Sequence, residues 1–118
     1  MFRIIILLFC LLATGCGKPM PRKPQDPMTV GKRIFTARCI TCHQRDGSGT
    51  LRDRRWAADF TDPAGVLAQS DEVILQSIMM GKKGEYSRMP AFKPILTPED
   101  ANAVLGYIRK TFWKKPAE

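Results

Sequence analysis

Apolar residues recur at helical spacing in three stretches of this chain, and nowhere do they alternate for long enough to build a sheet. The first stretch runs from Thr29 to about Arg38, with Val30, Ile34 and Ala37 on one side and Gly31 and Phe35 four apart. The second follows Ser70, a residue suited to an N-cap, and places Asp71 and Glu72 where negative charge suits the helix dipole. It carries Val73, Ile74, Leu75 and Ile78 and is expected to stop at Gly81. The third has the clearest entry: Leu96, then Thr97 as N-cap, Pro98 in the first turn and Asp100 at the capping-box position, where Glu or Gln is more usual. Ala101, Val104, Leu105, Ile108 and Phe112 then form one apolar stripe. The expected fold is all-α, with no internal repeat.

A different pattern occupies the start of the chain. Arg3 precedes an unbroken apolar run from Ile4 to Leu12, which ends at Ala13-Thr14-Gly15-Cys16. A positive start, a short apolar stretch and small residues describe a secretory signal peptide over residues 1–15. The run is shorter than the roughly twenty apolar residues a spanning helix needs. Leu12-Ala13-Thr14-Gly15-Cys16 also resembles the lipobox of bacterial lipoproteins, in which the cysteine is lipidated and becomes the new N-terminus. Here Leu12 stands four residues before Cys16 rather than three. Ordinary cleavage at the same bond and an uncleaved anchor are the alternatives, and each puts the folded part outside the cytoplasm.

Residues 16–27 read as a lipidated cysteine and a linker, since four of the eleven residues from Gly17 to Pro27 are proline. Such a segment favours an extended chain and, at roughly 3.1 Å per residue, reaches about 34 Å. Residues 28–115 are enough for one small domain. Chains this short bury a modest core and often need a disulfide, a metal or a cofactor.

The cysteines supply the missing element. Cys39-Ile40-Thr41-Cys42-His43 has the C-x-x-C-H spacing of covalent haem attachment. Each thiol can add to a porphyrin vinyl group, and the histidine next in the chain is close enough to bind the iron. Half a zinc site or a thioredoxin-like pair is the plainer alternative. Zinc would want further ligands, yet His43 is the only histidine and no second cysteine pair follows.

The count of histidines also excludes a second imidazole on the iron. Of the methionines in the mature chain, Met20 and Met28 precede the motif, and Met79 and Met80 fall in the second helix, where core packing is their usual role. Met89 lies in a loop ahead of Pro90, which restricts it to an extended backbone able to present its sulfur. Met89 is the expected sixth ligand; a helical methionine, an open site or a lysine are the alternatives.

With C-x-x-C-H early in the domain, Met89-Pro90 later and an amphipathic helix at the end, residues 28–113 resemble a class I c-type cytochrome. The resemblance implies helices around one covalent haem, His/Met ligation, and first and last helices that cross, with Gly31 and Phe35 meeting Tyr107. The segment Ala58-Asp59-Phe60-Thr61-Asp62-Pro63 is similar to bacterial members found near respiratory complexes. One departure stands out. Family members often have a proline whose carbonyl accepts the histidine's other N–H, and no proline lies between His43 and Pro63. The carbonyl is expected within Gly47 to Arg52 instead, with Gly47 and Gly49 forming either a turn beside the porphyrin or a plain surface loop.

The chain carries a formal charge of +8, and Arg3 is the only charged residue among the first fifteen. Basic groups recur along the domain: Lys32, Arg33 and Arg38; Arg45, Arg52, Arg54 and Arg55; Lys82, Lys83 and Arg88; Arg109, Lys110, Lys114 and Lys115. Nucleic acid is not an expected partner for an exported chain. The charge suits an acidic redox partner or anionic lipid, or serves solubility alone. Trp56 and Tyr86 are candidates for packing against the porphyrin or bonding its propionates. No acid/base pair or activated nucleophile is visible, so the expected function is single-electron transfer at a bacterial membrane surface, on the periplasmic side. A haem enzyme or gas- or peroxide-binding protein with an open sixth site, and a fixed subunit of a respiratory complex, are the competing readings. Because so small a core depends on the porphyrin, the haem-free chain is expected to be largely unfolded; a cooperative, native-like thermal transition followed by circular dichroism would contradict this.

Overall fold

A computed structural model describes residues 24–84 and 88–115. Cys16, Met20 and Tyr86 lie outside the described residues. The architecture is helical, with helices α1 (Pro27–Ile34), α2 (Ile40–His43), α3 (Asp71–Met80) and α4 (Pro98–Phe112). Two hairpins of two-residue strands, β1 (Thr50–Leu51) with β2 (Arg54–Arg55) and β3 (Lys82–Lys83) with β4 (Arg88–Met89), are too short to have shown any alternation. No helix among the described residues is long and apolar enough to cross a membrane.

The first helix begins at Pro27, earlier than the expected Thr29. Asp26 is its cap: the carboxylate accepts from Thr29 N at 3.0 Å and from the Thr29 hydroxyl, and Pro27 takes the first position, where its missing N–H costs nothing. Those bonds hold the Asp26 carboxyl below its usual range. Past Ile34 the coil widens into a π turn over Phe35–Cys39, closed by the Ile40 N–H donating to Phe35 O. The extra residue rotates the remainder of the helical segment. Ala37, expected on the apolar side, faces solvent, whereas Cys39 and Ile40 turn half-inward.

Helix α3 starts after Ser70 as expected, although the Ser70 side chain does not cap the backbone. Ile74 and Ile78 face the core, while Val73 is exposed. Gly81 ends the helix at φ 76°, in a conformation open to glycine, and a side chain there would meet Met89 O at 2.7 Å. The expected cap of α4 forms: Asp100 N donates to Thr97 Oγ1 at 3.1 Å and Thr97 N to the Asp100 carboxylate at 3.2 Å. Ala101, Val104, Leu105 and Ile108 are buried along it.

Helices α1 and α4 cross at Gly31. A Cβ on Gly31 would sit 2.1 Å from Ala103 O and 2.7 Å from Tyr107 Cβ, so only glycine lets the two backbones approach. Phe35 then packs on Tyr107 and Phe112, with ring centroids 5.6 and 5.2 Å away. The far end of α4 pins the segment before α3. Arg109 donates through Nε to Asp71 at 2.9 Å, through Nη2 to Gln69 O at 2.8 Å and through Nη1 to Leu67 O. Its guanidinium also lies 5.1 Å from the Trp113 ring, and Trp113 Nε1 donates to Pro63 O. Arg109 is therefore a structural clamp and not, as its charge suggested, part of a steering surface.

Mid-helix Gly→Ala ordinarily gains roughly 1 kcal/mol from propensity. Gly31→Ala should reverse that sign and lose about 1–3 kcal/mol through overpacking, measurable by guanidinium unfolding of the haem-loaded protein. An unchanged or higher midpoint would show that the helices do not meet so closely.

Candidate haem-binding site

The π turn and α2 bring the end of the first helical segment to a cavity of ≈ 350 Å³. Cys39, Cys42 and His43 line it, as do Met89 and Pro90 from the β3–β4 hairpin. The walls are mostly apolar: Phe60, Leu67, Ile74, Ile78, Phe92, Leu96, Val104 and Ile108 all contribute. Met79 and Met80 do not line it, and Met80 is 60% exposed. Cys39, Cys42, His43 and Met89 thus line one cavity.

His43 is 8% exposed, and its Nδ1 lies 3.2 Å from the Ala58 carbonyl. This corrects the expectation of a carbonyl within Gly47 to Arg52. With Nδ1–H committed to Ala58, Nε2 is left as the nitrogen with a lone pair for a metal. Burial lowers the His43 pKa, against the Ala58 bond, which raises it. The ring also stacks on Phe60, with centroids 4.3 Å apart and planes 11° from parallel, so its orientation is fixed from two directions. After His43 the chain turns sharply at Gln44, whose φ of 62° and ψ of 164° fall in a region almost confined to glycine.

The loop that supplies Ala58 is built on two glycines, neither of which lines the cavity. Gly49 N donates to His43 O at 3.0 Å, and Gly49 O accepts from Trp56 N and Ala57 N at 2.8 and 3.1 Å. At φ 64°, a Cβ on Gly49 would lie 2.4 Å from Ala57 O and 2.8 Å from Ala58 O. Gly47 packs instead against the Phe112 ring, and Phe60 N donates to Gly47 O at 2.8 Å. Beyond it, Asp59 accepts from both the Thr61 N–H and hydroxyl, a side-chain turn that sets Phe60 toward the cavity.

Cys39 is half-buried, and burial first, then Cys42, pushes its thiol up to about 11. Among the described residues, no three His, Cys, Asp or Glu side chains gather as a metal cluster would require. The donor set is two adjacent thiols, one imidazole and one thioether around an apolar space. That composition fits a porphyrin attached through its vinyl groups and does not fit zinc.

A family model described as cytochrome c oxidase, cbb3-type, subunit III matches residues 26–108. The chain belongs to this cytochrome c family. Among similar proteins, the cbb3-type oxidase subunit CcoP of Helicobacter pylori is 36% identical over 76 residues, covering 61% of this chain and 24% of that protein. The subunit FixP of Azorhizobium caulinodans is 32% identical over 78 residues, 66% of this chain and 25% of its own. Cytochrome c6 of Rippkaea orientalis is 28% identical over 108 residues, 92% of each chain. The chain therefore spans about a quarter of the CcoP and FixP relatives, and nearly the whole of the cytochrome c6. As a class I cytochrome c it carries a covalently bound haem c.

Within this cytochrome, Gly49→Ala should press on the Ala58 carbonyl and loosen its bond to His43. A less basic imidazole stabilises ferric iron less, so the midpoint potential should rise in spectroelectrochemical titration. A potential equal to that of the wild type would show that the Ala58 bond does not tune the imidazole.

Proposed function

We propose that this cytochrome is a membrane-tethered carrier of single electrons, in which Cys39 and Cys42 hold the haem by thioether bonds and His43 and Met89 bind its iron. The observation that carries this reading is that these four residues line one apolar cavity from which Met79 and Met80 are absent. When bound there, the haem supplies one-electron oxidation and reduction at iron. His43 contributes Nε2, held in place by Ala58 and Phe60. Met89 contributes a soft sulfur from a strand that pairs with Lys82 and runs directly into Pro90. The apolar walls keep water from the metal, and methionine beside histidine raises the potential relative to harder ligands. With His43 and Met89 both bound to iron, the protein would leave no position there for a substrate, which supports a carrier.

Residues 1–15 act as the signal peptide, Cys16 carries the lipid, the proline-rich residues that follow form the tether up to the Asp26 cap of α1, and the chain from there to residue 115 makes the cytochrome domain on the periplasmic side of a bacterial membrane. The lipobox-like run and the prolines support this arrangement. A second reading, a fixed subunit of a respiratory complex, is favoured by the relatives named as oxidase subunits.

Met89→Ala should abolish the sulfur–iron charge-transfer band of the oxidised protein and let the reduced form bind CO quickly, while Met79→Leu should leave both as in the wild type. Rapid CO binding by the reduced wild type would contradict His/Met ligation and favour an open-site enzyme or sensor.

A further inference from the structure

The loop that delivers the Ala58 carbonyl to His43 also presents a hairpin to solvent. Between Gly49 and Ala57 the β1–β2 hairpin exposes Leu51, Arg52, Arg54, Arg55 and Trp56. Leu51 and Trp56, 44% and 42% exposed, flank these arginines. The base of the hairpin is fixed by the bonds from Gly49 to His43, Trp56 and Ala57. Its tip is a two-residue turn in which Arg52 and Asp53 both take positive φ, 50° and 61°. Arg55 and Trp56 also line the haem cavity, so the hairpin forms part of its rim.

The same rim carries Arg38, Lys82 and Arg88, and no carboxylate lines the cavity among the described residues. Asp53 at the tip and Asp59, 3.6 Å from Arg55, are the acidic groups of this segment. Arginine and tryptophan around an apolar centre are the residue types that carry binding energy in protein interfaces, and the arginine fork matches a carboxylate.

The geometry points to the 50–56 hairpin as the docking element of this cytochrome, receiving an acidic patch on a redox partner protein. Its arginines pair with the partner's carboxylates, and Leu51 and Trp56 make the apolar contact at the edge of the haem cavity. This rests on the electron-transfer reading of that cavity. A lipid surface is the poorer match, because a bilayer laid over the rim would cover the route by which electrons cross to a partner.

The test uses haem-loaded protein carrying Arg52→Glu with Arg54→Glu, and as a control of equal net charge Lys110→Glu with Lys114→Glu on α4 and just beyond it. Each is reduced, mixed with membranes from the organism of origin, and its reoxidation followed by haem absorbance over a range of salt. The hairpin pair should slow reoxidation by roughly tenfold or more at low salt and flatten its salt dependence, with the spectrum and potential unchanged. Leu51→Ser should slow it at every salt concentration, and the lysine pair should stay near the wild type. Equal slowing by both charge pairs, or none by the hairpin pair, would overturn the assignment. So would a hairpin variant that is reoxidised normally but no longer binds phosphatidylglycerol vesicles. A wild type that lacks a haem spectrum or is not reoxidised at all would instead remove the electron-transfer reading beneath it.

Discussion

The contact between Gly31 and the Ala103–Tyr107 turn decides how far the two ends of this domain stand apart. Helix α1 leads directly into the haem motif, and α4 lends Val104 and Ile108 to the cavity wall. Any side chain at Gly31 would clash with the Ala103 carbonyl and force these elements apart. The aromatic cluster of Phe35, Phe60, Tyr107 and Phe112 fills the corner beside the crossing and reaches His43 through Phe60. Packing at the crossing and orientation of the imidazole are therefore parts of one connected structure. The Arg109 clamp extends it to Leu67, which is fully buried in the cavity wall.

What could be read in advance depended on whether a side chain or the backbone carries the information. The capping box at Thr97 and Asp100 and the stop at Gly81 are written in residue identity, and each was legible, whereas the crossing glycine was legible only through the family resemblance. The carbonyl that orients His43 was not, because every residue has one; Ala58 reaches Nδ1 only because Gly49 folds the hairpin base back onto α2. The π turn was equally hidden. One extra residue per turn leaves no mark in composition, yet it sends Ala37 outward and Cys39 inward. Phe60, Leu67, Phe92 and Leu96 lie outside the periodic stretches, so their burial could not be read from helical spacing.

Charge needed the structure before it meant anything. Arg109 looked like one more member of a basic surface and is in fact held by three acceptors and an aromatic face. Arg52, Arg54 and Arg55 stay exposed on a hairpin that shares its base with the histidine's hydrogen-bonding loop. Exposed arginines and the carbonyl that holds the His43 ring thus share one ten-residue loop. The chain is similar to oxidase subunits over a quarter of their length and to a cytochrome c6 over nearly all of its own.

Iron X-ray absorption on the purified, oxidised protein examines the metal's neighbours directly. Axial binding by His43 and Met89 predicts one sulfur in the first coordination shell, with nitrogen filling every other position. A shell of nitrogen alone, or one that holds an oxygen in place of the sulfur, would contradict it.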